Sequence, residues 1–196
     1  VEITLGKEKI RTPVDDAIGY IKKTVIGDVM NIKKVRVDKE GTGMGWGAVY
    51  AQYLESMDQI GEQGNGLSVS RQLYKGDEAL NESAPLKVGD KITVRLTVKA
   101  DRDMDFVQIK DDRAACMEPL QAVSGFRWGN GLGYYQATKD ASTQFFIDQM
   151  RKGTYVIEYQ VYVNRTGEYQ AGIATVQSAY APEFGGHTRG YRVMVE

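Results

Sequence analysis

A chain with one histidine and one cysteine in 196 residues has little from which to build nucleophilic catalysis. His187, in Glu183-Phe184-Gly185-Gly186-His187-Thr188, would need an activated Ser or Cys beside it to serve a hydrolase, and the sequence nominates none. Cys116 lies in the apolar stretch Ala114-Ala115-Cys116-Met117, where a buried, inert thiol is the expected state. A lone cysteine also excludes an internal disulfide framework and a zinc site of paired cysteines. Asp101, Asp103 and Asp105, followed by Asp111 and Asp112, offer oxygen ligands of the kind calcium takes. The rest of a calcium loop is missing, however, and aspartates at strand-connecting turns are expected as solvated residues bonding nearby amides. Gly41-Thr42-Gly43-Met44-Gly45-Trp46-Gly47 has the glycine density of a phosphate cradle, but no Lys-Ser or Lys-Thr pair follows and residues 48–53 read as a strand. Gly129-Asn130-Gly131-Leu132-Gly133 is a turn on the same grounds. The sequence therefore nominates no catalytic residue, no metal ligand and no cofactor.

Aromatic residues are a different matter. Phe126, Trp128, Tyr134 and Tyr135 flank the second glycine-rich stretch, which is expected to be a long loop. Exposed aromatics on loops anchor partners or sugars, whereas buried ones fill the end of a core. Both readings stay open, with Trp128, Tyr134 and Tyr135 as the candidate partner contacts.

The elements that must carry these residues are strands. In residues 91–99, Lys-Ile-Thr-Val-Arg-Leu-Thr-Val-Lys, every second position is apolar, so one sheet face is core and the other is wet. Further strands are expected at 2–5, 10–12, 19–24, 31–38, 48–54, 67–74, 106–111, 143–148 and 191–195. A long hairpin is expected from 155–163 and 168–178, joined by Asn164-Arg165-Thr166-Gly167. The spacing fits an all-β chain: an antiparallel β-sandwich preceded by a smaller β subdomain. Gly61-Glu62-Gln63-Gly64-Asn65-Gly66 interrupts two strand-like runs, which places a boundary between 1–62 and 63–196. The front piece is small for an independent core.

With 42% hydrophobic and 26% charged residues and a mean hydropathy of -0.41, the composition is that of a folding globular protein. A formal net charge of -1 offers no footprint for nucleic acid or for an anionic membrane. No apolar run approaches the ~20 residues that span a bilayer, and Val1 opens no signal pattern, so the chain reads as a piece of something longer. The triplets Asn81-Glu82-Ser83 and Asn164-Arg165-Thr166 match a glycosylation pattern too short to carry weight.

Several segments, taken in order, resemble the bacterial alpha-2-macroglobulin family. Trp46-Gly47-Ala48-Val49-Tyr50-Ala51-Gln52-Tyr53 and Leu67-Ser68-Val69-Ser70-Arg71-Gln72-Leu73-Tyr74 are similar to the region that follows the family's thioester domain. Val88-Gly89-Asp90-Lys91-Ile92-Thr93-Val94-Arg95 resembles the opening strand of its last macroglobulin domain. Residues 109–119, Ile-Lys-Asp-Asp-Arg-Ala-Ala-Cys-Met-Glu-Pro, are similar to its D-x-x-P-A-G-x-E-P segment. Lys152-Gly153-Thr154-Tyr155, Thr166-Gly167-Glu168-Tyr169 and Tyr180-Ala181-Pro182-Glu183 resemble two of its turns and its closing signature.

The resemblance implies that residues 1–62 are the trailing half of a CUB-like β domain, and that residues 63–196 are a C-terminal macroglobulin sandwich like the receptor-binding domain of animal relatives. It implies a non-catalytic module of a broad-spectrum endopeptidase inhibitor, which traps proteases after cleavage of a bait region. The partners would be the parent's thioester and preceding macroglobulin domains, and target proteases reached through the parent. Residence would be the periplasm or cell envelope, with a lipoprotein-anchored parent among the family's forms. The family's thioester signature is Cys-x-Glu-Gln; Cys116-Met117-Glu118-Pro119 has proline for the reactive Gln, so no thioester forms here. The implied contact with the thioester domain falls on Ser178, Ala179 and Tyr180, although Ala179 stands where relatives often carry a larger residue. A rival reading is a cell-surface Ig-like sandwich for adhesion or carbohydrate binding, since sandwiches host many unrelated functions.

Overall fold

The computed structural model describes residues 2–11, 20–27, 32–50, 52–81 and 84–196. Among them every regular element is a strand, apart from one short 3-10 turn at Met57–Gln59. The chain divides into two compact units, Val1–Gln52 and Tyr53–Glu196. The sequence placed its boundary at 61–66; residues 57–60 are instead tied to the end of the chain. Arg192 Nε donates to Asp58 at 3.0 Å, and the Gly190 amide donates to the Ile60 carbonyl at 3.1 Å.

In the first unit, β1 (Glu2–Leu5) lies between β2 (Glu8–Arg11) and β3 (Val35–Asp38), all antiparallel. Hydrogen bonds from Lys9 and Arg11 hold the Glu2 carboxyl below its ordinary pKa. None of the unit's described residues is fully buried. The strands expected at 19–24 and 48–54 do not form: residues 20–24, 48–50 and 52–54 are irregular, while Gly19 and Ala51 lie outside the described residues. The strand expected at 31–38 shortens to β3, and Asn31, like Thr12 at the end of 10–12, lies outside the described residues. Alternation makes a strand only where another strand completes the ladder. Tyr50 is 92% exposed.

The second unit is a sandwich, and 27 buried apolar residues make one core between its layers. One layer contains β8 (Met104–Asp112), β10 (Gly125–Gly129), β11 (Leu132–Thr138), β12 (Ser142–Met150) and β15 (Ala174–Ser178), in the order β10-β11-β12-β8-β15. The other contains β5 (Leu67–Lys75), β7 (Lys91–Ala100), β9 (Met117–Pro119) and β13 (Gly153–Val163), in the order β5-β7-β13-β9, with β6 (Glu78–Ala79) on the margin of β5. Two short strands, β4 (Gln63–Asn65) and β16 (Gly185–His187), stitch β15 to β5 around one corner. β14 (Gly167–Ala171) pairs with β17 (Tyr191–Val195).

Period two places Ile92, Val94, Leu96 and Val98 of β7 and Ile157, Tyr159, Val161 and Val163 of β13 inward. Phe145 of β12 meets Tyr159 of β13 across the layers at 5.9 Å between ring centroids.

The expected long hairpin is absent. β13 is already paired on both margins, with β7 and β9, so residues after 163 leave its layer. The run expected as one strand at 168–178 breaks into β14 and β15 at Gly172, where a Cβ would stand 2.3 Å from that of Asp112. The stretch around 129–133 is a tight hairpin rather than a long loop. Asn130 (φ 52°) and Gly131 (φ 76°) form a two-residue turn between β10 and β11, matching the strand twist.

Candidate contact site

A buried ion pair locks the two layers on which the site is mounted. Arg71 of β5 donates to Asp111 of β8 at 2.5 Å, with side-chain exposures of 5% and 1%. The Tyr159 hydroxyl donates to the other carboxylate oxygen at 2.7 Å, and Arg71 also donates to the Gly172 carbonyl at 2.5 Å. Burial, then the neighbouring Asp111 carboxylate, pushes the Tyr159 hydroxyl well above its ordinary pKa. Burial works against the Arg71 charge, but Asp111, together with Tyr191 and Tyr159, more than offsets it and raises the guanidinium pKa. Asp111 is thus a core residue, not a solvated turn residue. The other aspartates disperse: Asp101 pairs with Arg102, and Asp103 accepts the Lys152 amide at 2.7 Å. Among the described residues no group of His, Cys, Asp and Glu is placed to hold a metal.

The remaining chemistry-bearing side chains stay apart. Cys116 is fully buried, which raises its thiol pKa, and His187 Nδ1 lies 3.1 Å from the Thr188 carbonyl. The short motifs prove to be local clamps. In 152–155 the Tyr155 hydroxyl donates back to the Arg151 carbonyl at 3.0 Å, and in 166–169 Tyr169 does so to Thr166 at 2.8 Å. Arg113, within the 109–119 segment, bonds Thr143 at 2.6 Å and the carbonyls of Lys139 and Asp140.

The connection between β15 and β16 is pinned at several points. Ala181-Pro182-Glu183-Phe184 closes a turn in which the Phe184 amide donates to the Ala181 carbonyl at 2.9 Å, with Pro182 at the position a β-turn favours. The Ser178 amide donates to the Phe184 carbonyl at 3.0 Å, and Asn65 reaches the Glu183 carbonyl at 2.7 Å. The Phe184 ring lies against Gly66 (φ 69°), where a Cβ would come within 2.6 Å of it, and beneath the Arg102 guanidinium at 4.7 Å. Ser178 is 5% exposed and ends β15 facing inward, so it supports the loop from below. Ala179 is exposed, and Tyr180 is 80% exposed.

Sequence reasoning missed Phe106. Its backbone is in the left-handed region at φ 52°, which a bulky side chain enters at a cost of roughly 1–3 kcal/mol. Its carbonyl accepts the Ala179 amide at 2.9 Å, and its ring meets Tyr180 edge-on at 5.1 Å and 84°. The one-dimensional trace of this is slight: Phe106 and Val107 are adjacent apolar residues that break the alternation of β8.

The aromatic residues of the hairpin divide. Tyr134 is half-buried and packs against the core on Phe145 at 5.6 Å. Phe126 and Trp128 are each 79% exposed, and Tyr135 meets Phe126 edge-on at 5.1 Å. The Trp128 ring crosses Gly133, where a Cβ would come within 2.8 Å of it. With Phe146, Asp148, Gln149 and Arg151 they line an open depression of about 740 Å³.

The sequence model of the bacterial alpha-2-macroglobulin MG10 domain matches residues 66–183, more than half of the chain. The chain belongs to the bacterial alpha-2-macroglobulin MG10 family. Solved structures agree in fold. A point mutant of Salmonella alpha-2-macroglobulin superposes with TM-score 0.60 at 19% identity, over 69% of this chain and 10% of that one. Native Escherichia coli alpha-2-macroglobulin from domain MG7 to its C-terminus gives 0.58 at 17%, over 69% and 24%. The same E. coli protein activated by porcine elastase gives 0.60 at 16%, over 70% and 14%. A curated Dictyostelium discoideum protein, circularly permutated Ras protein 2, is 28% identical over 166 residues, 81% of this chain and 4% of that protein. The chain thus spans a small part of each relative. Among its described residues no helix is long and apolar enough to cross a membrane.

Proposed function

We propose that this chain is a non-catalytic C-terminal module of an alpha-2-macroglobulin-like endopeptidase inhibitor, and that it packs on the parent's thioester domain through Ala179 and Tyr180. The observation that carries this reading is an exposed tyrosine on a loop pinned by several backbone and side-chain hydrogen bonds and by the Phe184 clamp. A preorganised loop loses little entropy on docking, and an exposed tyrosine on it provides apolar area with a polar tip. Family membership supports the module assignment, and the elastase-activated relative supports a protease as the parent's target. In this reading residues 1–62 are the trailing half of a CUB-like domain, residues 63–196 are the macroglobulin module, and the parent resides in the periplasm or cell envelope.

The test uses the full-length parent. After incubation with an active endoprotease, protease activity on a large protein substrate falls while activity on a small peptide persists, the signature of physical trapping. Retention of both activities across several protease classes refutes it.

A second reading, a carbohydrate-binding sandwich, has one observation in its favour: the exposed Trp128 and Phe126 beside Asp148 and Arg151. Specific binding on a glycan array, abolished by Trp128→Ala, would establish it. The absence of any such signal removes it.

A further inference from the structure

The backbone at Phe106 is one that glycine adopts freely and phenylalanine resists, yet the sequence places phenylalanine there. Core packing does not account for the choice, because the residue is 49% exposed. The local pleat shows what the conformation accomplishes. On β8, Met104 and Val107 are buried while Asp105 and Phe106 between them both face solvent. On the paired strand β12, Ile147 and Met150 are buried while Asp148 and Gln149 face solvent. The alternation therefore slips at this one place, and the slip brings the Phe106 ring to the outer surface.

This is also where the β8–β15 ladder ends. Ser178 pairs with Val107, and the next hydrogen bond runs from the Ala179 amide to the Phe106 carbonyl. The chain leaves the sheet there, and the Phe106 ring stands edge-on against the first large side chain of the loop, Tyr180.

We propose that Phe106 is a positioning residue whose left-handed backbone and outward ring together fix the orientation in which Tyr180 is presented to the neighbouring domain of the parent. The proposal rests on the reading of Tyr180 as the contact residue. Phe184 and the Ala181–Phe184 turn hold the far end of the loop, and Phe106 holds the near end. An edge-to-face ring pair contributes enough to shift a side-chain population by roughly 2- to 10-fold, which is the size of effect a presentation device needs.

Two variants of the 196-residue chain separate the backbone from the ring. Phe106→Gly removes the strain and the ring; Phe106→Leu keeps the demand on the backbone and removes the aromatic edge. With labelled tyrosine, and Tyr180 assigned by its loss in Tyr180→Phe, ring relaxation reads the order of the side chain. Both variants are expected to melt at or near the wild-type temperature, Phe106→Gly the higher of the two, and in both the minor orientations of Tyr180 rise roughly 2- to 10-fold. A Tyr180 ring as ordered in both variants as in wild type overturns the proposal.

Hydrogen exchange of residues 178–184 in the full-length parent, compared with the isolated chain, tests the underlying contact separately. Extra protection in the parent, reduced in the Phe106 variants, supports both. No extra protection defeats the contact reading, and with it presentation to a partner domain, even where Phe106 orders Tyr180 in the isolated chain.

Discussion

The two units of this chain share one written pattern and differ in what it becomes. β1 and β7 both alternate, but β1 belongs to a three-stranded sheet with no fully buried described residue, whereas β7 lies between β5 and β13 with five residues facing the core. The sandwich has a second layer to close against, and across that gap it places the Arg71–Asp111–Tyr159 cluster. Alternation is thus a capacity for half-burial, realised only where another sheet supplies the covering face.

The largest expected effect comes from breaking the cross-layer cluster. Asp111→Ala leaves the Arg71 charge buried without its partner, and should cost about 3–5 kcal/mol in denaturant unfolding. A loss below about 1 kcal/mol would mean that the layers are joined by apolar packing alone.

Tyr159→Phe removes one donor and keeps the ring, with an expected cost of about 1–2 kcal/mol at neutral pH. Tyr159 also sharpens the comparison through pH. Its folded pKa is raised, so the contribution is complete below the unfolded tyrosine value of about 10 and is lost as pH climbs beyond it. Melting temperatures followed across that alkaline range should therefore fall more steeply for wild type than for Tyr159→Phe. Parallel curves would assign the alkaline loss to other groups.

At the hairpin, Gly131→Ala asks a Cβ to enter the left-handed region and should cost about 1 kcal/mol, read as a lower melting temperature. The smallest effect belongs to the first unit. Ile3 is only half-buried in its own sheet, so Ile3→Ala should shift the main unfolding transition by less than about 0.5 kcal/mol. A shift as large as that of a core residue would show that this sheet is as strongly covered as the sandwich.

Much of the sandwich was legible in one dimension. β5, β7, β8, β12, β13 and β17 lie where alternation placed them, and the segments at 109–119, 152–155, 166–169 and 180–183 carried the family resemblance that the MG10 match bears out. The Asn130-Gly131 turn was legible too, since Asn-Gly between alternating runs signals a two-residue hairpin, but its flanking glycines drew attention to a loop instead. The pairing of β14 with β17 rather than β13 was not legible: local alternation says which face of a strand is apolar, and says nothing about which strand lies beside it.

The candidate site divides in the same way. Tyr180 could be named from sequence because it sits in a recognisable segment, and its loop's Pro182 turn follows from residue type. The role of Phe106 could not. It depends on a backbone angle and on a ring brought against Tyr180 from 74 positions away in the chain, neither of which a local pattern encodes; only the slipped pleat leaves a trace, in the neighbouring pairs Phe106-Val107 and Asp148-Gln149. Asp111 likewise changed from a solvated aspartate to a core ion-pair partner once Arg71 and Tyr159 arrived from the facing layer. The sequence by itself determined the strand class and the inward faces of the sandwich strands, because these follow from side-chain periodicity and residue-specific backbone preference. Only the tertiary structure decided which strands pair, which charges are buried and which aromatic is held out to solvent, because those depend on groups that chain connectivity keeps far apart.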